Sequence, residues 1–134
     1  EDNPAVVDDF IALMQASGPE KTAFLNPQMH AAFRDILRAT QAAGMLGICF
    51  LELEERYMAA YAYFSMGVRV YLYNSGYDPG PHAALSPGWV LLAHLIERVI
   101  ESGHRHFDFM RGDEGYKYRF GGKDERVLRL TISR

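Results

Sequence analysis

Apolar residues recur every three to four positions in two stretches near the start of the chain. Val6, Phe10, Leu13 and Met14 share one face of a helix, and Met29, Phe33, Ile36 and Leu37 share another. Each stretch opens on a short polar residue followed by proline, Asn3-Pro4 and Asn26-Pro27, and the same pair returns at Ser86-Pro87. The polar side chain can accept a free N–H, while proline suits the first helical position because its missing donor is not needed there. Three helix starts are therefore predicted, with Gly18 and Gly44 closing the first two helices.

From Gly47 to Tyr73 the chain turns β-rich. Strands are expected over Ile48 to Leu53, Met58 to Phe64 and Val68 to Tyr73, with Glu54-Glu55-Arg56 and Ser65-Met66-Gly67 between them. Connections this short make an antiparallel meander. A loop from Asn74 to Leu85, rich in glycine and proline, leads into a helix from Pro87 to Ser102 that Gly103 ends. In that helix Trp89, Leu92, Ala93, Ile96 and Ile100 form one face, and Leu91, Leu95 and Val99 widen it, as for a helix covered on two sides. A strand around His106 to Met110, a turn or short helix from Gly112 to Tyr118, and a last strand from Arg126 to Ile132 complete the order. A helix crossing between two strands makes them parallel, so the expected architecture is α/β (α+β) with a mixed central sheet, an antiparallel meander, a crossover helix and flanking helices.

Composition narrows the class. The chain's 134 residues suit one domain, residues 1–134, and 49% hydrophobic with 23% charged residues is ordinary globular usage. A formal charge of −3 provides no general attraction for DNA or anionic membranes, and no apolar run is long enough to span a bilayer. The single cysteine, Cys49, excludes an intrachain disulfide and points to a cytoplasmic setting. Because the chain opens at Glu1 without methionine, it is expected to be the C-terminal part of a longer protein.

Two places concentrate candidate chemistry. At Leu85-Ser86-Pro87-Gly88-Trp89, the free N–H groups and dipole of a helix start can seat a phosphate or carboxylate, and Gly88 allows close approach; the same residues also suit a plain capped helix. The stretch Phe107 to Gly121 places Arg111, Lys117 and Arg119 among Asp108, Asp113 and Glu114, together with Tyr116 and Tyr118, just past a strand that follows a crossover. Tyr118 could give a proton to a leaving thiolate, Asp113 or Glu114 could take one from an amine, and the three cations could hold anionic oxygens. The alternative is a set of internal ion pairs fastening the turn. His104 and His106 lack a third ligand at suitable spacing, so no metal is expected. Cys49 reads as a small apolar side chain, and Tyr57, Tyr61, Tyr63, Tyr71 and Tyr73 belong to the sheet, facing either core or groove.

The phrases Leu85-Ser86-Pro87-Gly88, Phe107-Asp108-Phe109-Met110-Arg111-Gly112-Asp113-Glu114 and Tyr116-Lys117-Tyr118-Arg119-Phe120-Gly121 resemble the GNAT-like family associated with cellulose biosynthesis proteins, which is related to the FemABX peptidyltransferases. The resemblance implies a GNAT fold and transfer of an acyl group from acetyl-coenzyme A or another acyl-coenzyme A to an amine by direct attack. It implies that Ser86, Gly88, Trp89, Arg111, Lys117 and Arg119 bind the donor, and that Tyr118, Asp113 and Glu114 move protons. A second GNAT-like half upstream is a further implication. The segment before the helix departs from the usual GNAT phosphate loop, having Gly88 but no second glycine. Two other readings thus stand beside the first: an aminoacyl-tRNA-dependent transferase, and a non-catalytic module that holds a ligand or partner in envelope or polysaccharide assembly.

Overall fold

The computed structural model describes residues 5–133. Three helices come first, α1 (Ala5–Ala16), α2 (Pro19–Phe24) and α3 (Pro27–Ala42). Strands β1 (Leu46–Leu53), β2 (Arg56–Met66) and β3 (Arg69–Tyr77) follow, then a 3₁₀ turn over Pro81–Leu85, α4 (Pro87–Glu101), β4 (His106–Asp108) and α5 (Gly115–Arg119). The sheet runs in the order β1-β2-β3-β4; the first three strands are antiparallel, and β4 lies parallel to β3 after the α4 crossover. This is the mixed sheet that the helix between two strands requires.

The polar-proline starts behave differently from one another. Asn26 caps α3, its Oδ1 accepting the Met29 N–H at 3.0 Å. Asn3-Pro4 lies outside the described residues. Ser86 does not cap α4 with its side chain: it sits in the left-handed region at φ 53°, and only its carbonyl takes part, accepting from Trp89 at 3.0 Å and Val90 at 3.3 Å. The short helix α2, not anticipated from periodicity, begins at Gly18-Pro19 and has no buried side chain, so it left no apolar stripe to read.

The two faces of the sheet are covered separately. On one, α1 and α3 bury Val7, Phe10, Ile11, Met14, Phe33 and Leu37 against Ala60 and Ala62. Val7, fully buried, takes the place expected of Val6. The α3 stripe narrows to Phe33 and Leu37, leaving Met29 and Ile36 exposed, because α3 rests along one line on α1 and the edge strand β1. Helix α1 presses so closely on β3 that a Cβ at Gly76 would stand 2.5 Å from the Met14 nitrogen. On the other face, Leu91, Leu92, Leu95 and Val99 of α4 pack on Ala59, Tyr61, Val70 and Leu72. Covering on two sides does not extend along the helix: Ala93 and Ile100 are exposed, and Trp89 remains 43% accessible.

The last strand expected over Arg126 to Ile132 is also absent. Val127, Leu128, Leu130 and Ile132 are 84–99% exposed, and the segment pairs with no strand among the described residues. Its alternation records a preference for extended backbone, but a strand forms only where a neighbour completes the ladder.

Candidate functional site

The site grows from an uneven pairing of β3 and β4. Only Arg69, Val70 and Tyr71 of β3 pair with β4, opposite His106, Phe107 and Asp108. Beyond them β3 continues to Tyr77 while β4 stops, so a cleft opens beside the second half of β3. At the fork β3 carries a bulge: Ala62 faces Asn74 and Tyr63 faces Leu72, leaving Tyr73 as the extra residue. Bulges of this kind bend a strand and leave backbone groups unpaired.

The mouth of α4 stands at the far end of the cleft. A cavity of about 210 Å³ lies there, lined by Tyr61, Ser75, Tyr77, Ser86, Gly88 and Trp89 among others. Pro87 has no N–H, and Trp89 and Val90 donate to Ser86, which leaves the Gly88 N–H without an acceptor among the described residues. With no side-chain cap, this helix start keeps its donor and the positive end of its dipole turned toward the cavity. A Cβ on Gly88 would meet only the Tyr61 hydroxyl, at 3.6 Å, so the fold itself does not demand glycine there. The Tyr61 hydroxyl donates to the Gly88 carbonyl at 3.2 Å, joining the sheet to the mouth.

The charged segment after β4 comes to the same place. Phe120 lies against Trp89 with ring centroids 5.3 Å apart, and the Arg119 guanidinium sits 5.7 Å over the Trp89 ring. The helix mouth and the end of α5, distant in sequence, thus meet at one end of the molecule. Within α5 the two phenols part. Tyr116 is half-buried, edge-on to Phe109 at 6.2 Å, and close enough to Tyr61 to influence it electrostatically. Burial, then the charge of Glu114, pushes the Tyr116 hydroxyl above the ordinary tyrosine range; burial followed by Tyr116 does the same to Tyr61. Tyr118 points outward, donating to Asp124 Oδ1 at 2.8 Å, and this hydrogen bond is the main reason its pKa is raised.

Lys117 is buried. Its ammonium donates to the Arg111 carbonyl at 2.9 Å and the Gly112 carbonyl at 3.2 Å, and meets Glu114 Oε2 at 2.6 Å. All three donors are used inside the turn, the internal arrangement that the sequence left open beside anion binding. The Lys117 contact also holds the Glu114 carboxyl below the usual glutamate range. Asp113 and the Arg111 side chain are exposed.

The remaining candidates are structural. His104 is bracketed by Ser65 Oγ at 2.9 Å and Ser102 Oγ at 2.8 Å, and no group of three metal-ligating side chains occurs among the described residues. Cys49 is half-buried, and burial pushes its thiol up to about 11, which makes it a poor nucleophile. Of the sheet tyrosines left open between core and groove, Tyr61 lines the cavity, while Asn74, expected to open a loop, was missed and lies next to the β3 bulge. No described helix is long and apolar enough to cross a membrane.

An alternating layer of helix and mixed sheet, a fork between parallel strands and an open helix mouth define an acyltransferase-type fold. The family model described as Acetyltransferase (GNAT) domain matches residues 1–118, and the chain belongs to that family. Its fold is similar to that of a GNAT family acetyltransferase from Brucella melitensis crystallised with acetyl-CoA, at 18% identity and TM-score 0.67, covering 92% of this chain and 80% of that one. An aminoglycoside acetyltransferase from an uncultured soil metagenomic sample, in complex with sisomicin, matches at 13% identity and TM-score 0.66, over 99% and 91% of the two chains. A predicted acetyltransferase from Clostridium acetobutylicum, with acetyl-CoA, matches at 14% identity and TM-score 0.60, over 93% and 91%. Among the curated proteins nothing matches the chain.

Proposed function

We propose that this protein transfers an acyl group from an acyl-coenzyme A to an amine, with the donor lying between the α4 mouth and the free half of β3. The observation that carries this reading is the meeting of Trp89 with Arg119 and Phe120 beside an uncapped helix start, at the end of a cleft already opened by the fork. The residues suit such a donor. Gly88 offers a free N–H and room for an anion, Arg119 adds a positive charge at the same mouth, and the unpaired edge of β3 can hydrogen-bond an extended chain carrying amides. Acyl-coenzyme A brings an activated thioester to this setting.

The protein's own part is alignment and proton handling. Tyr116, half-buried beside Phe109 and near the cavity-lining Tyr61, is assigned the proton for the departing sulfur in place of Tyr118, which faces solvent and is engaged by Asp124. Glu114 stays ionised against Lys117, so Asp113 is the carboxylate left to receive the amine's proton, directly or through water. Lys117 is assigned to holding the turn, and Arg111 remains an exposed cation able to steer an anionic donor. Kinship with the cellulose-associated group belongs to this proposal, carried by the phrase from Phe107 to Gly121.

Incubation with acetyl-coenzyme A and a panel of primary amines, followed by mass spectrometry, tests the reading. Acetylated amine formed in step with free coenzyme A supports it. Absence of both with short and long acyl donors, in the full-length protein, contradicts it.

A further inference from the structure

We infer that Lys21 is a positioning residue for transfer, holding the β3 bulge at the fork of the cleft through Asn74. The inference rests on the acyl-transfer reading above. Helix α2 is six residues long and buries none of its side chains, so it adds little to either core. Thr22 ties it back to α1, its Oγ1 donating to the Gln15 carbonyl at 2.9 Å. Its directed contact with the sheet is Lys21, whose Nζ donates to Asn74 Oδ1 across 53 positions of sequence.

Asn74 stands where the geometry is most consequential. The β3–β4 pairing ends at Tyr71, and the bulge follows within three residues. Because of the bulge, Tyr73 and Asn74 both turn to the face covered by α1 and α3. Tyr73 stacks on Phe33 at 5.7 Å and touches Phe64 at 4.9 Å. The Asn74 amide oxygen accepts the Ser75 N–H at 2.9 Å as well as the ammonium. The bulge is thus pinned from behind by an aromatic stack and a charge-assisted hydrogen bond, while its strand edge faces the cleft. Half-burial lowers the Lys21 pKa, so the ammonium is held against a desolvation cost rather than resting loosely on the surface. Neither Lys21 nor Asn74 lines the cavity, and neither is placed to touch a donor seated there.

The test compares the wild type with Lys21→Met, Asn74→Ala, the double variant and Lys21→Arg, per folded molecule, using acetyl-coenzyme A and an amine that the wild type accepts. Loss of alignment without loss of binding predicts a kcat about tenfold to a hundredfold lower in each single variant, with the donor KM changed by less than about threefold. The double variant falls no further than the singles, because both remove one contact. Lys21→Arg recovers part of the rate, and amide exchange quickens at residues 72–76 while Tm stays near wild type. Wild-type kcat in Lys21→Met, or losses that multiply in the double variant, overturns the inference alone. A wild type that neither binds nor consumes acetyl-coenzyme A overturns the donor reading, and the inference with it. Asn74→Ala carries the same expectation independently should Lys21→Met fail to fold.

Discussion

The two faces of the sheet are built from different chemistry. The face under α1 and α3 is closed and dominated by aliphatic and phenylalanine side chains, with Phe10, Met14 and Leu37 fully buried. The face under α4 mixes leucines with hydroxyl and thiol groups, Tyr61, Tyr63, Tyr116 and Cys49, and ends in a cavity at the helix mouth. Polar groups inside a core weaken it unless they are paired, so their concentration on one face marks where stability is exchanged for chemistry. Both faces carry buried core residues, and the second also carries the candidate site. Lys21 and Asn74 are the exception, placed on the first face yet bearing on the cleft.

The sharpest way to break this division is to empty each face in turn. Phe10→Ala removes a fully buried ring and is expected to cost about 3–5 kcal/mol in urea unfolding, with donor affinity of the folded fraction unchanged. Loss of donor binding in that folded fraction would show that the faces are not separate. On the other face, Tyr116→Phe is expected to lower kcat by about a hundredfold with Tm preserved, whereas Tyr118→Phe, exposed and bonded to Asp124, stays within about twofold of wild type. The reverse ranking would return the proton to Tyr118.

Gly88→Ala sharpens the contrast further. The added methyl meets only the Tyr61 hydroxyl at 3.6 Å, so Tm should hold, while acetyl-coenzyme A affinity by calorimetry falls about tenfold, or ~1.4 kcal/mol, as the methyl occupies the mouth. Smaller still is an acid effect at the Phe107 to Gly121 segment. Because Lys117 lowers the Glu114 pKa in the folded state, the pair's contribution is present above the ordinary glutamate range and is lost as pH falls through the lowered folded value. Thermal melts across acidic pH should therefore show a shallower acid decline in Glu114→Gln than in wild type. Last, Leu130→Ser, at a site 85% exposed, should change stability by less than about 0.5 kcal/mol; a larger loss would reveal packing for the 126–132 segment that this account denies.

Much of the first level was readable from residues. Period and turn signals placed α1, α3, the meander and α4, and the crossover fixed the parallel pairing of β4, because each depends on local pattern or on a general rule of connection. The meeting of Ser86 to Trp89 with the end of α5 was also legible, since both follow strand ends on one side of a mixed sheet. What escaped depended on partners. The strand expected at Arg126 to Ile132 has the right alternation but no neighbour. The outward turn of Tyr118 and the half-burial of Tyr116 depend on a rotation of two residues within a five-residue helix, which neither motif nor spacing fixes. The Lys117 ammonium finds its acceptors in backbone carbonyls, which no side-chain pattern announces. The β3 bulge that brings Asn74 under Lys21 is a matter of register and is invisible until β2 lies beside β3.

Hydrogen exchange of the protein with and without acetyl-coenzyme A tests the separation of the faces most directly. New protection is expected at residues 73–77 of β3 and at 86–90 around the α4 mouth, with α1 and α3 unchanged. Protection confined to α1 and α3, or none at the mouth under saturating donor, would contradict it.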